Sequence, residues 1–63
     1  MKEHVITDKS GNRRGAIEEQ SNGVRVIRDR NGRRLGEYDP KWNVTRDANG
    51  NRLGGGDQLS SLL

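Results

Sequence analysis

Apolar positions along this 63-residue chain come in short β-branched stretches, and each stretch runs into a polar turn marked by glycine. Val5-Ile6, Val26-Ile27 and Val44-Thr45 precede three copies of one phrase, D-x-x-G-x-R-x-G, at Asp8–Gly15, Asp29–Gly36 and Asp47–Gly54. The copies are offset by 21 and then 18 residues. A repeat of about 20 residues marks one supersecondary unit used several times, and a single unit cannot bury its apolar side alone. Within each phrase the leading Asp can accept a hydrogen bond from the amide two residues on, and Asn31-Gly32 and Asn49-Gly50 put Gly where a left-handed residue is needed, as in short hairpin loops with a type I turn and a bulge. Ser10-Gly11 is a weaker version of the same signal. The pattern predicts three β-hairpins, with strands at 3–7 and 13–20, 24–28 and 33–38, and 44–46 and 51–55. The units span about 3–20, 24–38 and 44–55, and nine glycines argue against helix through this region.

Alternation along these strands is imperfect. Val24 and Val26 share one face while Ile27 joins Arg25 on the other, and counting by twos puts Leu35 and Tyr38 on opposite faces. Each face therefore carries some apolar area and neither carries enough. The chain changes character after Gly54-Gly55-Gly56. Asp57 is placed to cap a short helix with Leu59, Leu62 and Leu63 on one side, giving a repeat domain at 1–56 and a helical tail at 57–63. So short a helix is unstable by itself and must dock on the sheet or on a neighbouring subunit. Leu59, Leu62 and Leu63 are accordingly the expected oligomerisation residues.

Composition sharpens that expectation. Leu, Ile and Val number only 12, Phe is absent, and a chain of this size buries only about 60% of its unfolded surface. Small domains usually compensate with disulfides, a structural metal or a partner subunit. The absence of Cys removes disulfides and thiolate zinc sites, and a single His removes a multi-histidine site. Association remains, so the sequence predicts a homo-oligomer without cofactor or metal. No apolar run is long enough to cross a membrane and no signal peptide is visible, which leads to the expectation of a cytoplasmic protein without a membrane partner.

Candidate chemistry is sparse. Among the twelve basic residues arginine dominates, and Arg13, Arg14, Arg33, Arg34 and Arg52 follow the turn glycines at matching repeat positions. Such a row could hold phosphate groups, with Trp42 or Tyr38 as a stacking surface for nucleic acid. The plainer alternative pairs each Arg with an acid of its own or a neighbouring hairpin. Trp42, beside Pro40, is expected to pack over the second and third hairpins. Asp47-Ala-Asn-Gly-Asn51 opens like a calcium loop, but Arg52 stands where a turn glycine is required and Gln58 where the last carboxylate is required. Catalytic residues are not expected: His4 has no triad partners, and Glu18 and Glu19 are adjacent on a strand and so face opposite ways.

The third copy, Thr45-Arg-Asp-Ala-Asn-Gly-Asn-Arg-Leu-Gly54, resembles the YD repeats of Rhs-type proteins, although Thr7, Arg28 and Arg46 stand where those repeats carry Tyr. In scale the chain is more similar to small bacterial and phage-associated proteins with β-flower repeats. That likeness rests on the D-x-x-G-x-x-x-G units, the stretch Gly36-Glu-Tyr-Asp-Pro40 and the leucine tail, and covers about residues 5–57. It implies hairpins assembled around one another and an origin in phage or a mobile element, with no activity common to such repeats. The combined expectation is an all-β chain of three consecutive hairpins, a homo-oligomer acting as a non-catalytic structural or protein–protein interaction module. Its partners are then copies of itself or a larger protein assembly. The alternative is a basic nucleic-acid-binding protein using the repeated arginines.

Overall fold

A computed structural model describes residues 2–63 as one antiparallel sheet of six strands in sequential order. The strands are β1 (Lys2–Thr7), β2 (Arg13–Glu19), β3 (Arg25–Asp29), β4 (Arg34–Asp39), β5 (Val44–Asp47) and β6 (Arg52–Gly55). All six expected strands are present, and the all-β hairpin meander is the fold. The sheet does not close. β1 pairs only with β2 and β6 only with β5, so both edges are open.

Three hairpin tips are built from the repeated phrase by one hydrogen-bond scheme. In the first, the Gly11 amide donates to the Asp8 carbonyl and the Asp8 amide donates to the Asn12 carbonyl. The Asp8 carboxylate then accepts from the amides of Ser10 and Asn12 at 2.8 and 2.9 Å. Asp29 repeats this with Asn31 and Arg33, and Asp47 with Asn49 and Asn51. Gly11, Gly32 and Gly50 have φ of 83°, 85° and 86°, in the left-handed region where a Cβ is unfavourable. The leading Asp and the glycine three residues later thus specify the tip between them.

Each tip is followed by a β-bulge. The register slips between Ile6 and Thr7, between Ile27 and Arg28, and between Thr45 and Arg46, leaving Arg14, Leu35 and Leu53 as the extra residues. A bulge re-aims side chains and breaks strict alternation. The expectation that Leu35 and Tyr38 lie on opposite faces fails for this reason: Leu35 joins Leu62 and Leu63 in lining a groove on the side to which Tyr38 also belongs.

Cross-strand register assigns the two faces. One face carries Ile6, Gly15, Ile17, Ile27, Gly36, Tyr38, Thr45 and Gly54. The segment after Gly56 folds back over it, packing on β3 and β4. The expected short helix is a 3-10 helix, Leu59–Leu62, and Asp57 accepts the Leu59 amide at 3.1 Å without occupying the N-cap position, which is Gln58. Leu59 and Ile27 are fully buried against each other's side of this layer, and Thr45 is buried with them.

The repeat's last glycines are the track on which the tail lies. A Cβ on Gly36 would come within 2.5 Å of Leu62 Cδ1, one on Gly15 within 2.9 Å of Leu63 Cδ2, and one on Gly54 within 2.6 Å of Gln58 Nε2. At Gly15 and Gly36 the carbonyls of Arg28 and Arg46 crowd the same space. Thr45 fastens the tail: its hydroxyl donates to the Gly56 carbonyl at 2.7 Å and accepts the Gln58 amide at 2.9 Å. Arg25 closes the entry with an ion pair to Asp57 at 2.9 Å. The leucine tail therefore docks on its own sheet, with Leu59 in the core and Leu62 and Leu63 half-buried.

Candidate functional site

The opposite face has no such cover. Ala16, Val26 and Val44 are buried there, but they lie among long charged side chains whose stems can shield them. Register places Arg28 directly opposite Arg34 on β3 and β4, and Arg46 directly opposite Arg52 on β5 and β6. In the first hairpin Thr7 lies opposite Arg13 at the corresponding position. Arg13, Arg28, Arg34, Arg46 and Arg52 thus step diagonally over five consecutive strands on one face.

Few acids answer them. Glu37 pairs with Arg34 at 3.1 Å, and Glu3 lies 3.9 Å from Arg13, a loose contact between two half-exposed side chains. Arg28 has Ala16 on its other flank and donates to the neutral carbonyl of Gly32 at 3.2 Å. Arg46 has Glu37 on its other flank, but that carboxylate is taken by Arg34. Among the described residues, Arg14, Arg28, Arg30, Arg33, Arg46 and Arg52 form no ion pair. Pairing of every Arg with a neighbouring acid, the plainer reading of the sequence, holds for three arginines only.

The same imbalance extends along the strands. Nine of the twelve basic residues lie in the tip segments 7–15, 28–36 and 46–54, where the only acids are Asp8, Asp29 and Asp47. The rest of the chain holds six acids against Lys2, Arg25 and Lys41. The three tip aspartates have their carboxylates turned inward on backbone amides. The amides of Asn12 and Asn51 are the leading cause that holds the Asp8 and Asp47 carboxyls below the usual carboxylate range. They remain charged, yet they are engaged in the turns.

The sequence-predicted residues divide accordingly. Arg13, Arg34 and Arg52 come together on the open face. Arg14 sits at the first bulge and, with Arg30, borders an open groove of about 710 Å³ over Leu35, Leu62 and Leu63 on the tail side. Arg33 ends the second tip, where its amide serves Asp29. Arg28 and Arg46 complete the staircase and were not expected from the sequence; the available signal was the residue immediately preceding the second and third tip aspartates. The aromatic residues are not brought to the arginines. Trp42 lies in the 40–43 connection at the opposite end of the strands, is 66% exposed, and has Lys41 Nζ 5.4 Å from its ring centroid. It does not pack over the hairpins as expected; the residue after it, Asn43, takes a left-handed φ of 53°. Tyr38 points its hydroxyl to Asn43 Oδ1 at 2.8 Å, bracing that loop. No group of three or more metal-ligating side chains occurs among the described residues, and no helix is long and apolar enough to cross a membrane. Comparison with known protein families, characterised proteins and solved structures finds no match.

Proposed function

We propose that this chain is a non-catalytic interaction module that associates with copies of itself by continuing its sheet, edge to edge. The observation that carries this reading is the open meander with a repeating register. The two junctions between hairpins align Gly15 with Asp29 and Gly36 with Asp47. The third phrase ends in Gly54, and the same register would set it beside Asp8 of a second molecule, joining β6 to β1 head to tail. Nothing on β6 opposes this: Gly54-Gly55 has no side chains, and an unpaired strand edge is a template for another strand. Val5 on β1 and Leu53 on β6 are exposed apolar residues at the two open edges. The likeness of the phrase to hairpin-repeat proteins agrees with assembly of this kind.

Sedimentation velocity of the full chain at tens of micromolar tests the reading. A multimer that dissociates when Val5 or Leu53 is replaced by Lys supports it, because edge charges block strand addition without disturbing the fold. A wild-type chain that sediments as a monomer throughout overturns it.

A further inference from the structure

We propose that the open face is a docking surface for the phosphate backbone of a nucleic-acid duplex, held by Arg13, Arg28, Arg34, Arg46 and Arg52 without base stacking. This inference does not rest on self-association. Its first ground is an arrangement that a free-standing sheet does not favour: like charges directly opposite one another on adjacent strands are destabilising. The chain has two such arginine pairs at equivalent repeat positions, with Glu37 the single carboxylate paired among those four arginines. A bound polyanion relieves both pairs at once.

The second ground is the choice of residue. Guanidinium groups bind phosphate oxygens through paired, planar donors, and lysine would serve equally for solubility alone. Five strands at the usual sheet spacing put the first and last arginine columns about 19 Å apart, over which a duplex presents one phosphate charge per ~1.7 Å of axis. The third ground selects the duplex. Binding of single strands relies on aromatic platforms for unstacked bases, and Trp42 lies at the far end of the strands while Tyr38 is on the covered face. With no aromatic or base-reading group beside the arginines, contact is confined to the backbone and indifferent to sequence.

The test is a fluorescence-anisotropy titration of the full chain against two labelled 20-base-pair duplexes of unrelated sequence and a dT20 single strand, over a series of salt concentrations. Expected is micromolar binding to both duplexes with equal affinity, and an affinity that falls with log salt at a slope of up to about −4.5 for five phosphate contacts. Arg52→Gln and Arg46→Gln should each reduce that slope by about 1 on both duplexes alike, while remaining folded with melting temperatures no lower than the parent. Trp42→Ala should leave duplex binding unchanged. Absence of binding at 50 mM salt, a slope unmoved by the arginine variants, preference for dT20, or loss of binding in Trp42→Ala would each overturn the proposal.

Discussion

The two faces of this sheet are built from the same three repeats, yet one is finished and the other is not. On the tail side the repeat supplies absences: Gly15, Gly36 and Gly54 leave a track into which Leu63, Leu62 and Gln58 settle. On the open side it supplies excess, as Arg28 faces Arg34 and Arg46 faces Arg52. The first arrangement lowers the free energy of the isolated chain and the second raises it. Residues that stabilise the molecule and residues available to a partner are thus separated by the thickness of one strand layer.

Removal of the tail should produce the largest effect, because it strips the finished face. Deleting residues 57–63 exposes Ile27 and Thr45 and takes the Gln58 amide away from the Thr45 hydroxyl. The shortened chain should lose its β-sheet circular dichroism at 25 °C; a cooperative melt equal to that of the full chain would show that the tail is an accessory. Leu59→Ala asks the same question more gently. A fully buried leucine truncated to alanine costs about 2–5 kcal/mol, and the loss should be read as a lower denaturant midpoint with little change in slope. Gly36→Ala approaches from the sheet side. Its new methyl meets Leu62 and the Arg46 carbonyl, and overpacking of this kind costs about 1–3 kcal/mol.

Much of this division was legible in the sequence, and the illegible part has identifiable causes. Strands and tips follow from short-range chemistry: an Asp that reaches amides two and four residues ahead needs no knowledge of the rest of the chain. Each expected strand accordingly falls within two residues of its observed bounds. The Asn-Gly signal pointed to a turn with a bulge, but it does not say which residue is extra, and the alternation was counted as if there were none. Counting by twos then sent Leu35 to the wrong side and hid the fact that Arg28 and Arg34 meet. Gly15, Gly36 and Gly54 were visible as a repeat, but what they make room for arrives from 57–63, and only tertiary packing connects them. Thr45 shows the same limit: it reads as an ordinary β-branched residue, whereas it is the clasp of the tail.

Acid should weaken the tips. The Asp8 and Asp47 carboxyls titrate below their unfolded values because backbone amides favour the ionised form. A depressed carboxylate contributes stability that is fully present above its unfolded pKa, near 4, and is lost as pH falls through the lower, folded value. The melting temperature should therefore be flat from pH 7 to about 5 and fall below about pH 4. Asp47→Asn should show a shallower fall, since its amide oxygen still accepts from the amides of Asn49 and Asn51 but no longer titrates. An equally steep fall in that variant would move the acid sensitivity elsewhere.

The smallest expected effect is the most diagnostic, because its sign is unusual. Most substitutions destabilise, whereas Arg52→Gln should stabilise the isolated chain by a few tenths of a kcal/mol, up to about 1 kcal/mol, by removing one of two guanidinium groups set directly opposite. The glutamine keeps the stem that lies along the sheet, so packing is nearly conserved. Salt provides the control. Exposed charges more than a Debye length apart are largely screened, and that length shrinks from about 10 Å at 0.1 M to about 3 Å at 1 M. Raising salt should therefore lift the parent's melting temperature and narrow its gap to Arg52→Gln, while Arg25→Gln, which breaks the favourable pair with Asp57, should move the other way at low salt. If Arg52→Gln instead lowers the melting temperature at 50 mM salt, the open face is already neutralised within the chain, and its arginines are part of the scaffold.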